Sequence, residues 1–174
     1  MYAIVYARMG TEVIAATNIA GTIDRIMWVV FMGLGNACGV MLGNKIGAGE
    51  EKQVFTYAKR FAILNPAIAV LLGVLVMLIS PWVFMPYKVS PIVLDYSRRI
   101  LIVLCLFMWV KVFNYTNVVG ILRSGGDTTF CLMLDTGGVW LVGVPLVFLG
   151  GLVWRLPIYY VYLLVHVEEI VKLI

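Results

Sequence analysis

Gly35-Asn36-Ala37-Cys38-Gly39-Val40-Met41-Leu42-Gly43-Asn44-Lys45-Ile46-Gly47-Ala48-Gly49-Glu50 closes a long apolar run and opens a polar one. Gly35, Gly39 and Gly43 recur at every fourth position. On a helix they share one face, where a second backbone can approach closely. In lipid, small residues at this spacing are a common helix-packing device. Gly47 and Gly49 are expected to stop the helix, and the polar run from Glu50 to Arg60 to form a connection into the next apolar segment. The stretch reads as a buried helix face, a helix stop and a membrane exit, with its glycines as packing and hinge elements. The spacing alone supports no more than structural packing.

Composition sets the class. Of 174 residues, 63% are hydrophobic and 13% charged, and the mean hydropathy is +1.01. Soluble domains carry about 25% charged residues, and this chain lacks the polar residues needed to cover a water-exposed surface. It reads as an integral membrane protein, with the lipid bilayer as its surroundings. The net charge of +4 fits positive residues at the membrane edge better than nucleic-acid binding, so no nucleic-acid partner is expected. Cys38, Cys105 and Cys131 are odd in number, far apart and inside apolar runs. They suit small apolar fillers, not a disulfide framework or a metal site. The run from Met1 to Tyr6 lacks a signal-peptide pattern and reads as the tail of an apolar helix, while Glu168 to Ile174 ends without a helix stop. A fragment is expected.

A spanning helix needs about 20 mostly apolar residues. Candidate spans fall at about 12–46, 61–79, 91–119, 128–153 and 157–174. The first exceeds the bilayer and should tilt or extend past it. Ser80-Pro81 is expected to end the second, Pro91 lies near the first turn of the third, and Pro145 lies within the fourth. No strand alternation interrupts the series. The expected fold is all-α and membrane-integral, about five transmembrane helices plus the tail of a sixth. Alternating direction places Lys45, Lys52, Lys59, Arg60, Arg123 and Lys172 on the C-terminal side, against Arg8, Lys88, Arg98, Arg99 and Arg155. The small excess favours a cytoplasmic C-terminus.

Ionisable groups at membrane depth cost roughly 2.5–3.5 kcal/mol each on insertion scales, so each requires a reason. In the first span Asp24 and Arg25 are adjacent, and Asn18, Arg25 and Asn36 fall near one line. This stripe either lines a water-filled cavity or sits near the interface. In the third span Lys111, Asn114 and Asn117 share an arc at i, i+3, i+6, beside Tyr115 and Thr116. They face a cavity or hydrogen-bond between helices. Asp135, in the fourth span, is expected in an ion pair with Lys111 or the Arg123 loop. The fifth carries Tyr159, Tyr162, His166 and Glu169 on one face, and Glu168 with Lys172 at i, i+4. His166 with Glu169 is a candidate proton relay, against a plain inter-helix hydrogen bond for the histidine. Asp24, Arg25, Asn36, Lys111, Asn114, Asn117 and Asp135 are the candidate substrate or ion pathway. No metal site is expected around a single histidine. Gly33 to Gly39 fails the dinucleotide-binding spacing, no phosphate-binding loop motif occurs, and no nucleophile–base set stands out. An enzyme is not expected.

Arg8-Met9-Gly10-Thr11-Glu12, then Gly35-Asn36-Ala37-Cys38-Gly39 through Gly43-Asn44-Lys45-Ile46-Gly47-Ala48-Gly49, resembles a hallmark of the multidrug and toxic compound extrusion (MATE) transporters. Gly120-Ile121-Leu122-Arg123-Ser124-Gly125-Gly126-Asp127-Thr128 is similar to that family's G-x-L-R-x-x-G-D-T loop, which points to Arg123, Gly126, Asp127 and Thr128. The resemblance implies twelve helices in two six-helix lobes. Here 1–174 would be a partial C-terminal lobe, the end of helix seven plus helices eight to twelve, with the N-terminal lobe as its missing partner. It also implies a plasma-membrane antiporter working by alternating access. Such a protein exports amphipathic or cationic small molecules in exchange for sodium ions or protons, with no cofactor beyond the coupling ion. The superfamily also contains lipid-linked oligosaccharide flippases, and Arg25 and Lys111 favour that alternative. A non-transporting membrane scaffold is the reading from a different class. Sodium-coupled members place an acidic residue where Lys111, Asn114 and Asn117 stand. The lysine would repel a cation unless paired with Asp24 or Asp135. The coupling site is therefore expected in the missing lobe.

Overall fold

The computed structural model describes residues 2–85, 87 and 89–173, so Met1, Pro86, Lys88 and Ile174, including the Lys88 of the charge count, lie outside the described residues. The helices are α1 (Tyr2–Met9), α2 (Thr11–Gly47), α3 (Glu51–Phe84), α4 (Pro91–Leu122), α5 (Thr128–Val153) and α6 (Ile158–Val171), with no strand among the described residues. Four of them, α2 to α5, are long and apolar enough to cross a membrane. The last is shorter than the span expected at 157–174: its 14 residues rise about 21 Å, less than the roughly 30 Å of hydrocarbon.

Gly10, at φ +128°, breaks α1 from α2 in a conformation that favours glycine. Val13, Ala16, Ala20, Ile23, Met27 and Phe31 then form the buried stripe of α2 at helical spacing. The stop after α2 is Gly49, not Gly47. Gly47 is still helical, whereas Gly49 takes φ +72°. The Gly49 N–H donates to the Ile46 carbonyl and the Glu50 N–H to the Lys45 carbonyl, a Schellman closure. The Lys45 ammonium, 2.8 Å from the Glu50 carboxylate, braces the turn.

The polar connection expected from Glu50 to Arg60 is helix. From Glu51 to Asn65 the chain has no glycine or proline, and helix formers carry α3 into solvent-facing turns before the apolar run begins. Ser80-Pro81 does not end α3 either, because Pro81 falls in a last turn that runs on to Phe84. Much of α3 faces outward, with Leu78 74% and Trp82 76% exposed, as suits a lipid-facing helix. Ser90 caps α4, its Oγ accepting the Val93 N–H at 3.4 Å ahead of Pro91.

α4 is the central helix, packing against α2, α3 and α6 through Ile100, Leu101, Leu104, Met108 and Val112. Its end, Thr116–Leu122, widens to π geometry, as do Gly138–Gly143 and Leu149–Val153 in α5. Pro145 gives the first widening of α5 a cause: it cannot donate to the turn before it, and its ring crowds that carbonyl. Gly126, at φ +93°, turns the chain between α4 and α5, and Asp127 caps α5 by accepting the Phe130 N–H at 3.1 Å.

The glycines of the opening stretch divide. A methyl on Gly35 would collide with the Tyr115 ring, and one on Gly39 would lie 3.7 Å from the Val119 and Gly120 carbonyls. Reciprocally, a Cβ on Gly120 would lie 3.0 Å from Cys38 Sγ and 3.4 Å from the Gly35 carbonyl. Gly43 and Gly47 meet nothing within 4 Å, so the packing face is shorter than the glycine repeat. Gly120→Ala is expected to lower unfolding free energy by about 1–3 kcal/mol, the cost of overpacking. Gly43→Ala should hold it or raise it by up to about 1 kcal/mol through helix propensity. Thermal unfolding in detergent measures both.

Candidate functional site

Between α2, α4, α5 and α6 lies a cavity of about 150 Å³ lined by Trp28, Lys111, Asn114, Tyr115, Asp135, Glu169 and Lys172, among others. The Lys111 ammonium donates to Asp24 Oδ1 and Oδ2 at 3.3 and 3.1 Å and lies 4.4 Å from the centre of the Trp28 ring. Both side chains of this pair keep only a fifth to a quarter of their exposure, so each charge depends on the other and on the ring quadrupole. Trp28 in turn meets Tyr115 edge-on at 5.0 Å, which fixes the ring under the lysine.

Across the cavity, Asn114 Nδ2 donates to both the carbonyl and the carboxylate of Glu169, at 2.7 and 2.8 Å. Glu168 accepts from Lys172 Nζ at 3.1 Å and from the Tyr2 hydroxyl at 3.1 Å. Lys172 also lies 3.7 Å from Asp135. Gly138 and Gly143 make the room for this group. A side chain on Gly138 would strike Lys172, and one on Gly143 would strike Glu168 and Tyr2.

Asp24, Lys111, Asn114, Asp135 and Glu169 are therefore brought together. The lysine finds Asp24, while Asp135 pairs with Lys172. Arg25 and Asn36 do not line the cavity. Arg25 is exposed and donates to the Gly21 carbonyl at 3.2 Å, and Asn36 is exposed along a shallow groove with Gly39, Arg123 and Ser124. Asn18 is exposed too, and Asn117 is half-buried outside the cavity lining. His166 Nδ1 sits 2.9 Å from the Tyr162 carbonyl, so that nitrogen carries the proton, and the ring packs against Phe107. No hydrogen bond joins His166 to Glu169 among the described residues, so the relay has no direct link.

The sequence reading missed Trp28, Tyr2, Gly143 and Asn65. Asn65 is buried next to Pro66 and donates to Thr116 Oγ1 at 2.9 Å, joining α3 to the point where α4 widens. Isolated aromatic and amide residues in apolar runs carry no periodic signal. Only the charges stood out, since each is costly in lipid.

The fold and this charged interior define a membrane-embedded helical lobe. The family model described as MatE matches residues 1–149, so the chain belongs to the MatE family. It is 31% identical over 150 residues to "Probable multidrug resistance protein NorM" of Photorhabdus laumondii subsp. laumondii. That match covers 86% of this chain and 33% of the relative, so the chain spans about a third of the length of the curated relative it matches. Among solved structures, it superposes with a TM-score of 0.90 at 18% identity on the outward-facing conformation of a multidrug resistance MATE family transporter of the MOP superfamily. There 98% of this chain corresponds to 38% of that one. An equal TM-score, 0.90 at 18% identity over 98% of this chain and 37% of the other, relates it to a MOP superfamily transporter from Pyrococcus furiosus Vc1, whose title reports a binding pocket of reverse polarity.

Breaking the Asp24–Lys111 pair from one side leaves a part-buried carboxylate alone. Lys111→Met should lower unfolding free energy by about 1–3 kcal/mol, below the ~3–5 of a fully buried pair because some exposure remains. Adding Asp24→Asn should recover part of that loss, which a double-mutant cycle in detergent measures.

Proposed function

We propose that this chain forms the second lobe of a twelve-helix plasma-membrane antiporter, the end of helix seven with helices eight to twelve. The complete protein exports cationic or amphipathic small molecules in exchange for sodium ions or protons by alternating access, with the first lobe as its partner and the C-terminus cytoplasmic. No enzymatic step is assigned to it.

The observation that carries the reading, beside family membership, is a charge imbalance. Asp135, Glu169, Lys111 and Lys172 line one cavity, and Asp24 and Glu168 pair with its two lysines from outside the lining, so that four acids share two lysines among the described residues. Asp24 and Glu168 each have an ammonium at 3.1 Å, and Asp135 shares Lys172 at 3.7 Å. Glu169 has only an amide partner, and no ion pair among the described residues reaches it. On this reading Glu169 is the group on the ion path, as expected of an ionisable side chain at membrane depth without a close ion-pair partner. This supports a coupling site in this lobe, where the third span alone had offered only Lys111. It also weakens the flippase alternative, because Lys111 is neutralised by Asp24 and Arg25 points away from the cavity.

The complete protein, reconstituted in vesicles with a cationic dye, should extrude the dye when a sodium or proton gradient is imposed. Glu169→Gln should cut gradient-driven extrusion by about tenfold or more, as expected for loss of a membrane-embedded titrating group, with membrane expression intact. No gradient-driven movement of any cationic dye by the wild type would sink the antiporter reading. Unchanged coupling in Glu169→Gln would remove that residue from the ion path.

A further inference from the structure

A larger cavity lies elsewhere, at the end of the bundle away from the Ala48–Glu50 turn. It holds about 520 Å³, and its lining combines Arg8 and Arg155 with Tyr96 and an apolar wall that includes Val13, Leu152 and Ile158. Arg8 comes from the last turn of α1 and Arg155 from the connection between α5 and α6. Chain segments far apart in sequence thus bring two guanidinium groups to one chamber.

Arg8 and Arg155 are both exposed. Among the described residues, neither Arg8 nor Arg155 makes an ion pair or a side-chain hydrogen bond, in contrast to nearby Arg99. Arg99 is bound to Asp95 at 2.9 Å and lies over the Tyr159 ring at 5.1 Å. Asp95 is thereby occupied, and Glu12, in the first turn of α2, does not line the cavity. The chamber has cationic donors and no acid in its wall.

Arg155 is also the one described non-glycine residue in the left-handed region, at φ +48°. Its neighbours pin it there, the Trp154 N–H donating to the Leu149 carbonyl at 2.8 Å and the Leu156 N–H to the Gly150 carbonyl at 2.9 Å. Glycine would take this conformation without strain. An arginine held there points to a use for its side chain.

We propose that this cavity binds the phosphodiester headgroup of an anionic amphiphile, Arg8 and Arg155 gripping the phosphate and the apolar wall receiving the chain beside it. Guanidinium groups match phosphate oxygens in a forked geometry that a single ammonium does not. The volume lies within the ~300–1,000 Å³ of small-molecule sites and leaves room for more than a bare anion. The site shares no residue with the Glu169 cavity and stands apart from the ion-coupling reading.

The test uses the complete protein in non-ionic detergent, titrated with dioctanoyl phosphatidylglycerol, dioctanoyl phosphatidylcholine or inorganic phosphate. Bound lipid is counted by native mass spectrometry. The anionic lipid should bind saturably and at least about tenfold more tightly than the zwitterionic one, and Arg8→Ala should weaken it by about tenfold, the size of a lost charge-assisted contact. Arg155→Gly should weaken it as much while keeping or raising the unfolding temperature, because it removes the guanidinium and relieves the backbone together. Arg98→Ala, an exposed arginine outside the cavity, should leave binding unchanged. Equal affinity for the two lipids, or unaltered binding in both cavity variants, overturns the proposal. Inorganic phosphate binding as tightly as the lipid would also overturn it, by giving the site to a free anion.

Discussion

The close approach of α2 to the end of α4 sets the position of nearly every polar group in the bundle. Lipid supplies no hydrophobic drive between helices, so backbone proximity has to come from small residues. Here it comes from a few atoms: Gly39 beneath the Val119 and Gly120 carbonyls, and Gly120 against Cys38 and the Gly35 carbonyl. With the backbones this near, the Tyr115 ring fills the space above Gly35 and meets Trp28 edge-on. Trp28 then lies beside Lys111, opposite Asp24. Packing and electrostatics are one arrangement: a side chain at Gly35 would strike the Tyr115 ring, and with it disturb the tryptophan face against which the lysine rests.

Once the helices are held, the charges sort by what they can reach. Asp24 with Lys111, and Glu168 with Lys172 and Tyr2, are closed sets in which every charge has an opposite or a donor within 3.1 Å. Such sets are weak stabilisers, since the desolvation cost of burying two charges offsets most of their attraction. They are nonetheless self-consistent. Glu169 breaks the pattern, its carboxylate held by the Asn114 amide with no ammonium in ion-pair reach among the described residues.

Fold class and family were legible because they rest on bulk properties: hydropathy, span length and glycine-rich motifs that stand out against an apolar background. The junctions were less legible. The stretch from Glu51 to Arg60 looks like a loop because it is polar, yet polarity in a membrane protein marks the water boundary, not the end of a helix. Gly47 and Gly49 look alike in sequence, and only the Schellman closure at Lys45 and Ile46 singles out Gly49. At the site, costly charges pointed to Asp24, Lys111 and Asp135, but a helical arc could not say that Asn117 would miss the cavity that Asn114 enters. A widening of the helix at Thr116 re-aims the residues after it, and nothing in a 3.6-residue period anticipates that. The roles of Gly138 and Gly143 were hidden for the opposite reason. They serve Lys172 and Glu168, thirty-four and twenty-five positions further on.

The widened turns themselves are unevenly placed. α2 and α3, the longest helices, keep α geometry throughout, even though α3 contains Pro66 and Pro81. Among the described residues the π segments fall only in α4 and α5, which border the two cavities together with the regular helices α2 and α6. Thr116–Leu122 and Gly138–Gly143 flank the acidic cavity, and Leu149–Val153 leads to the arginine-lined one. A π turn makes poorer hydrogen bonds than an α turn and brings side chains out at angles a regular helix cannot offer. Proline drives it at Pro145, but Thr116–Leu122 contains none, and there the widening carries Gly120 onto Cys38. α2 and α3 thus act as the frame. α4 and α5 give up regularity beside the two polar chambers, and both of these adjoin a local departure from the α-helix.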